Sequence, residues 1–460
     1  MNEFDLVIRN GKLVSESGSQ MADVGIVDGK IAAIGTNLTG KESIDAAGLL
    51  VIPGGVDPHV HLNMPTATTI TSEDWYSGTL AAAFGGTTTV IDFVEPLPGQ
   101  SLNQALQDRQ AEANGQAWID YGLHMTISDA NLIPEIKSLV EEGVTSFKIY
   151  TTYGDMQLND YEIVTVLDAV KEIDGIVMVH AENDAIVQHA TNTLVAEGKL
   201  EPRWHPHSRP ALAEVEAVNR MIYLARVSAT NLYLVHLSTQ GAVDAAGEAL
   251  EAGQNLVAET CPQYLLLNRE RYQDDDPAVA AGFVCSPPLR STADQQAIWH
   301  ALRKRTVLSI GSDHCAFNIE PQKRNALGDF RKIPGGIPGI ELRYPLLYHF
   351  GVRSGILSLE QWVAICSTNP AKSFGIWPQK GSLAIGADAD LVLFDPEKNF
   401  EVSVENLHEK VDYSPYQDFA LQGFPVMTLI KGRKLTETGK LLAEKPSGEF
   451  LKCGLPGIPS

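Results

Sequence analysis

The chain has 460 residues, of which 44% are hydrophobic and 20% are charged, and its formal net charge is -22 at pH 7. This composition is that of a folded globular protein and excludes a disordered or fibrous chain, and the length predicts a barrel-sized domain with an accessory domain. The acidic balance, which no basic cluster interrupts, argues against nucleic acid and acidic lipid surfaces as partners.

Residues 1–53 predict a small β-sheet domain rather than helices. Their short apolar segments are separated by turns and have the sequences DLVIRNGKLV, ADVGIVDGKIAAIG and GLLVIPG. The pairs Asn10-Gly11 and Asp28-Gly29 are typical of two-residue hairpin turns. We therefore expect a β-hairpin at each of these two pairs.

The middle of the chain changes to nearly continuous apolar runs that alternate with helical stretches, a pattern typical of parallel strands buried on both faces. Eight such runs occur, namely VDPHVHL, TTTVIDF, IDYGLHMTIS, VTSFKIY, IVMVHAE, NLYLVHLS, NLVAETC and TVLSIGSDH. Helical patterns such as LNQALQDRQAEANG and DAAGEALEAG lie between them. Eight β-α units predict a closed barrel.

The last part of the chain returns to β-rich sequence in DADLVLFDP and FPVMTLIKGRKL. Because a terminal strand must pair with something to cover its edge, we expect both chain ends to build one sheet domain. The predicted fold class is α/β, a (β/α)8 TIM-type barrel with a small β-sandwich built from both ends. The predicted boundaries are the β-sandwich over residues 1–53 and 376–440, the barrel over 54–375 and a C-terminal tail over 441–460.

The cellular location is predicted from what the sequence lacks. The start, MNEFDLVIRNG, has no basic segment followed by an apolar one, and no apolar run reaches the roughly 18 residues of a membrane-spanning helix. The five cysteines are scattered and form no Cys-x-x-Cys pair, which indicates reduced, mostly buried thiols. We expect a cytoplasmic protein without membrane contact.

Catalytic groups of such barrels lie at the carboxyl ends of the strands. Four histidines, one lysine and one aspartate occur in or just after the predicted strands. They are His59, His61, Lys148, His180, His236 and Asp313. The first two are two residues apart, so both imidazoles point to one face of an extended strand. Because such groups are costly to bury unless they are paired or bound to a cation, the set predicts a metal site with nitrogen and oxygen ligands.

Each of these residues also has a structural interpretation when it is taken alone. Isolated histidines such as His180 and His236 are commonly satisfied interior residues. Asp313 could cap a following helix, and Lys148 could form a structural salt bridge. The metal prediction therefore depends on the joint placement of the six side chains.

The segments GGVDPHVHL, SFKIY, VHAEN, VHLS, ETCPQYLLL, SPPLR and GSDHC together resemble the dihydropyrimidinase and hydantoinase family of cyclic amidohydrolases along essentially the whole chain. The resemblance implies a homotetramer that opens dihydropyrimidine or 5-substituted hydantoin rings to N-carbamoyl amino acids, using a hydroxide that bridges two metal ions. It implies zinc, although manganese or cobalt would satisfy the same ligands. Lys148 would be N6-carboxylated by carbon dioxide and bridge the ions. The other ligands would be His59, His61 and Asp313 at one ion, and His180 and His236 at the other.

The same resemblance implies further roles in the reaction. Asp313 would carry the proton of the attacking hydroxide to the leaving ring nitrogen, and Tyr153 would donate to the developing oxyanion. Ser286 and Gly335 would belong to a clamp whose main-chain groups bind the ureide edge. Family members often have asparagine where Gly335 stands, which leaves loop rigidity and pocket shape open. Without the resemblance, Tyr153 would be an ordinary loop aromatic and Gly335 a turn residue.

Three polar residues near the predicted site are given structural roles. We expect His205 and His207 to shape a loop rather than bind metal, and Cys315 to serve packing because no neighbouring base would activate it.

Other functions of related proteins remain as alternatives. Dihydroorotases typically have arginine where this chain has Asn63, and that arginine pairs with a substrate carboxylate. Allantoinases usually continue as Asn-Glu-Pro-Gly, whereas this chain continues as Asn63-Met64-Pro65-Thr66. A non-catalytic scaffold is a further alternative, since the fold includes non-enzymatic relatives, but these generally lose metal ligands that are all present here.

Overall fold

The computed structural model describes residues 3–66 and 68–459. Over these residues the strands form a nine-stranded sheet and an eight-stranded sheet. The strands are β1 (Phe4–Ser15), β2 (Gly18–Val27), β3 (Lys30–Gly35), β4 (Gly40–Asp45), β5 (Leu50–Pro53), β6 (Gly55–Val60), β7 (Thr87–Val94), β8 (Asp120–Thr126), β9 (Ser146–Tyr150), β10 (Ile176–His180), β11 (Asn231–Leu234), β12 (Leu256–Thr260), β13 (Val307–Ile310), β14 (Leu391–Glu401), β15 (Ala420–Ile430), β16 (Arg433–Glu437) and β17 (Lys440–Leu441).

The α-helices of the described residues lie between the barrel strands or after the last of them. They are α1 (Trp75–Phe84), α2 (Leu102–Ala113), α3 (Ile136–Leu139), α4 (Asp160–Glu172), α5 (Asp184–Ala196), α6 (His205–Ser208), α7 (Ala211–Ser228), α8 (Gln240–Glu251), α9 (Pro262–Leu266), α10 (Pro277–Gly282), α11 (Thr292–Arg303), α12 (Arg343–Leu347), α13 (Leu359–Val363) and α14 (Asn369–Ser373). The two helical patterns named above correspond to α2 and α8, which confirms them. Across the described ranges, none of the helices is both long and apolar enough to cross a bilayer.

The eight parallel strands follow one another in chain order from β6 to β13. Each predicted apolar run coincides with one of them, and their residues are almost all buried, because helices cover one face and the barrel interior covers the other. A parallel bridge between Val60 and His314 joins the first strand to the segment after the last one. The predicted TIM-type barrel is therefore confirmed.

The second sheet contains strands from both chain ends, in the order β17-β16-β15-β14-β5-β1-β2-β3, with β4 beside β1. The two ends meet where β5 pairs antiparallel with β14, placing Pro53 opposite Leu391. A separate apolar cluster fills this domain, with members such as Ile8, Val51 and Leu429. The prediction that both ends build one β-domain is confirmed.

The two predicted hairpins have different outcomes. Asp28-Gly29 forms the turn between β2 and β3, with both residues at positive φ (49° and 74°). The hairpin predicted at Asn10-Gly11 is wrong, because β1 runs straight through this pair and only its register with β2 shifts there. The pair forms a β-bulge, and glycine is needed because a β-carbon at Gly11 would collide with the side chain of Val51.

Candidate metal centre and active site

One cavity of about 640 Å³ lies at the carboxyl ends of the barrel strands. Its size suits a small-molecule ligand. All nine residues predicted for the site contribute to its wall, namely His59, His61, Lys148, Tyr153, His180, His236, Ser286, Asp313 and Gly335.

The first group of possible metal ligands comes from β6 and from the turn after β13. The Nε2 atoms of His59 and His61 lie 3.3 and 3.4 Å from Oδ1 of Asp313, and potential ligand atoms of the three residues all lie within 4.8 Å of one another. Burial lowers the pKa of His59 well below its usual value, so this imidazole is neutral and its lone pair is free. Burial raises the pKa of Asp313, but the adjacent His59 and His61 outweigh it and hold the pKa below the usual value. The group can therefore offer two imidazole nitrogens and one carboxylate oxygen to a cation.

The second group is a histidine pair from the neighbouring strands. Nδ1 of His180, the last residue of β10, lies 3.0 Å from Nε2 of His236, which follows β11. Burial lowers the pKa of both imidazoles. The ring centroids of His59 and His236 are 5.5 Å apart, so the two groups of ligands adjoin each other.

Lys148 lies in the middle of β9 and is 1% exposed. Its Nζ lies over two aromatic rings, 5.0 Å from the centroid of Phe93 and 5.3 Å from that of Tyr150. Among the described residues Lys148 forms no ion pair, so the structural salt bridge considered for it is not observed there. Asp313 instead contacts His59 and His61. Burial lowers the pKa of the Lys148 amine to about 8. A buried amine that has no carboxylate within salt-bridge distance among the described residues is thus a strong candidate for chemical modification.

Three residues of the cavity have a strained backbone. Tyr153, His236 and Asp313 have φ values of 75°, 41° and 50°, in the left-handed region that non-glycine residues seldom adopt. Each costs of order 1–3 kcal/mol and persists only where the surrounding structure enforces it, which happens most often at functional sites. The strain therefore coincides with the residues predicted to carry the chemistry.

The phenol of Tyr153 faces the second histidine pair. Its ring centroid lies 4.8 Å from that of His180, and the guanidinium of Arg209 lies over the ring, 4.9 Å from the same centroid. The enclosing walls of the cavity raise the pKa of Tyr153 to about 12. Its hydroxyl therefore stays protonated at neutral pH and can donate a hydrogen bond.

Ser286 and Gly335 lie on the wall of the cavity that consists of loops. A β-carbon at Gly335 would meet open space, so the backbone does not require glycine there. The next residue does require it, because Gly336 has a φ of 147° and a β-carbon there would collide with Cys315. The lack of a side chain at Gly335 therefore leaves this part of the cavity wall open.

Of the three residues expected to be structural, His205 and Cys315 also line the cavity. His205 is buried and its Nε2 donates to the carbonyl of Cys285 at 2.7 Å. His207 lies outside the cavity wall. Burial raises the pKa of the Cys315 thiol well above its usual value, so it is not an activated nucleophile.

Two buried glutamates belong to the centre although the sequence did not single them out. Oε1 of Glu259 lies 2.8 Å from Nδ1 of His59 and accepts the main-chain N–H of His236 at 3.1 Å. Oε2 of Glu182 lies 2.8 Å from Nε2 of His180. Both lie within or just after predicted apolar strands, in ETC and HAE, and a carboxylate at such a position is the signal that could have identified them.

The contacts of these histidines and carboxylates show whether the site suits divalent metal ions. His59 and His180 each place one ring nitrogen 2.8 Å from a buried carboxyl group, and a ring N–H donated to that group leaves the other nitrogen with its lone pair, as is usual for metal-binding histidines. Imidazole and carboxylate together are ligands that zinc and its neighbours prefer. The donor set therefore fits a centre for divalent cations.

Comparison with known proteins gives similarity over nearly the whole chain. The sequence model of the amidohydrolase family matches residues 50–435. A D-hydantoinase of Geobacillus stearothermophilus is 42% identical over 452 residues, covering 97% of this chain and 96% of that protein. A D-phenylhydantoinase of Escherichia coli O1:K1 / APEC is 38% identical over 454 residues, covering 97% and 98%. The crystal structure of a dihydropyrimidinase from Brevibacillus agri NCHU1002 has a TM-score of 0.97 at 41% identity and covers 98% of this chain and 99% of that chain.

Proposed function

The chain belongs to the amidohydrolase family, in its dihydropyrimidinase and hydantoinase group, and on this premise we propose that it hydrolyses a cyclic ureide to an N-carbamoyl amino acid. The ring is a dihydropyrimidine or a 5-substituted hydantoin. The observation that carries this proposal is the convergence of His59, His61 and Asp313 with the His180–His236 pair in one substrate-sized cavity.

We assign two divalent cations, zinc foremost, to these ligands. His59, His61 and Asp313 would hold one cation and the His180–His236 pair the other. Lys148, as its N6-carboxylated form, would be shared by both cations, and its buried amine, which forms no salt bridge among the described residues, supports that role. When bound, the two cations supply Lewis acidity to the substrate carbonyl and lower the pKa of the attacking water.

The protein's own groups would then move the proton and stabilise charge. Asp313 is ionised at neutral pH, so it can accept the proton of the attacking water and deliver it to the ring nitrogen as the C–N bond breaks. Tyr153 keeps its hydroxyl proton and would donate a hydrogen bond to the carbonyl oxygen as negative charge develops on it. Main-chain groups beside Ser286 and Gly335 would hold the ureide edge of the ring.

The lining of the cavity supports a neutral substrate with an apolar substituent. Apolar side chains that include Met64, Met156 and Phe330 contribute to the wall. The two lining arginines already have carboxylate partners, since Arg209 pairs with Glu182 and Arg331 with Asp329. A substrate carboxylate would have to compete with these ion pairs, which disfavours a dihydroorotase.

We further propose that the enzyme works as a homotetramer in the cytoplasm. The five free, buried cysteines are consistent with a reducing compartment. Light scattering of the purified protein measures the number of subunits directly, and a monomer would contradict the tetramer.

A substrate panel tests the proposed function. Dihydrouracil, hydantoin, phenylhydantoin, allantoin and dihydroorotate are each offered to enzyme of known metal content, and ring opening is followed by loss of ultraviolet absorbance and by detection of the carbamoyl product. We expect turnover of dihydrouracil or the hydantoins and much slower turnover of the last two. Exclusive turnover of allantoin or dihydroorotate would replace the proposed substrate. No turnover of any ring by metal-loaded protein would favour the scaffold alternative.

A further inference from the structure

Lys323 is a buried lysine outside the metal centre, 0% exposed. Its Nζ donates to three main-chain carbonyls, those of Gly336 at 2.9 Å, Pro334 at 3.2 Å and Val284 at 3.3 Å. An ammonium has three N–H donors, so this arrangement satisfies each of them with an oxygen. No carboxylate is paired with Lys323 among the ion pairs of residues 3–66 and 68–459, so its partners are neutral carbonyls alone.

The three carbonyls belong to two segments that are far apart in sequence and adjacent in space. One segment is 284–286 and the other is 334–336, and the main-chain N–H of Gly336 also donates to the carbonyl of Val284 at 2.9 Å. Residues of both segments line the cavity, including Ser286 and Gly335. Lys323 therefore joins, from behind, the two pieces of main chain that form the loop wall of the site.

We propose that Lys323 is a positioning residue that fixes the spacing of these two segments and so sets how tightly the ureide edge of the substrate is held. This inference rests on the proposed function, and it adds a residue that contacts neither the substrate nor the metal ligands.

A charged amine in this position needs a physical reason. Burying an ammonium away from water is costly, and burial lowers the pKa of Lys323 to about 8. An apolar side chain would avoid this cost but would leave three buried carbonyls facing no donor. A single side chain with three donors meets all three carbonyls at once, which neither a hydroxyl nor an amide can do.

The role makes a kinetic prediction that a general loss of stability would not produce. The clamp holds the ring in the ground state and in the transition state alike, so loosening it should raise KM and leave kcat nearly unchanged. The metal content should also stay constant, because Lys323 contacts none of the proposed ligands.

The experiment compares Lys323→Met and Lys323→Gln with a matched control, Lys332→Met, which removes an exposed charge from the neighbouring segment. We expect KM for the best substrate of the panel to rise about tenfold or more in Lys323→Met and by a smaller factor in Lys323→Gln, which keeps two donors. The kcat should stay within about threefold and metal content should equal that of wild type. Lys332→Met should behave as wild type.

Hydrogen exchange gives a second readout that needs no substrate. Peptides covering 284–286 and 334–336 should exchange faster in Lys323→Met than in wild type or Lys332→Met, while the exchange rates of the barrel strands should not change.

Unchanged KM together with unchanged exchange would overturn the inference while the proposed function stands. If wild type opens no cyclic amide, the proposed function fails, and the exchange result still decides whether Lys323 fixes the segments. If Lys323→Met does not fold, Lys323→Gln decides, and a KM equal to wild type there overturns the inference.

Discussion

Nδ1 of His59 lies 2.8 Å from Oε1 of Glu259, a residue 200 positions later in the chain. The same oxygen accepts the main-chain N–H of His236, and the other oxygen accepts the hydroxyl of Tyr233 at 2.8 Å. One buried carboxylate thus orients a ligand from each half of the proposed metal centre. Glu259 is not itself a proposed ligand, but it connects the two halves of the centre by its contacts with His59 and His236.

Replacing this carboxylate should weaken metal binding. We expect Glu259→Ala to lower the affinity for the divalent cations about 10- to 100-fold, because His59 loses the acceptor that fixes its orientation. Metal content after dialysis against graded chelator, measured by mass spectrometry, checks this. Glu248→Ala on the exposed face of α8 is the control. Equal metal retention in both variants would mean that Glu259 serves packing only.

Lys148 is predicted to be indispensable to the centre. Lys148→Ala removes the proposed bridging carboxylate, so we expect loss of both metal occupancy and turnover, while the exposed Lys137→Ala retains both. Carbon-13 NMR of wild type supplied with labelled bicarbonate should show a carbamate resonance that the variant lacks. A variant with full metal content and normal turnover would refute the bridging role.

Tyr153 should act on the rate and not on the metal. We expect Tyr153→Phe to keep its metal content and to lose about 100- to 1,000-fold in kcat, since one oxyanion donor is removed. Steady-state kinetics beside metal analysis checks this. Tyr161→Phe, on a side chain that is 82% exposed, is the control. If kcat does not fall, the tyrosine is a bystander in the cavity wall.

The adjacent glycines of the loop wall should respond differently to the same substitution. Gly336→Ala forces a β-carbon into Cys315 and into a φ of 147°, so we expect a loss of about 1–3 kcal/mol in the free energy of unfolding. Gly335→Ala meets open space and should stay within about 0.5 kcal/mol of wild type. Denaturant unfolding of both variants measures the difference, and equal stabilities would contradict it.

The sequence was sufficient to predict the barrel because its strands are buried on both faces and therefore consist of unbroken apolar runs. It failed at Asn10-Gly11, where the local turn pattern is identical to that of a hairpin. The structure shows β1 paired with β2 on both sides of this pair, and Gly11 is required by the close approach of Val51, a contact between distant segments that no local pattern contains.

In the candidate site, too, the sequence predicted some residues and missed others. The proposed ligands lie in or just after strands, where barrel geometry predicts catalytic groups, and they line one cavity. The residues that orient them could not be predicted with the same certainty, since the pairings of Glu259 with His59 and of Lys323 with Gly336 depend on the folded structure. The clamp role of Ser286 and Gly335 stays a prediction, as do the domain boundaries.

The most direct measurement is a metal titration of activity. The purified protein is stripped with chelator, divalent zinc is restored in steps in the presence of bicarbonate, and ring opening of dihydrouracil and hydantoin is measured at each step. We expect no turnover in the stripped protein and a rise that saturates at about two metal ions per chain. Full activity in protein without metal would contradict the proposed binuclear centre.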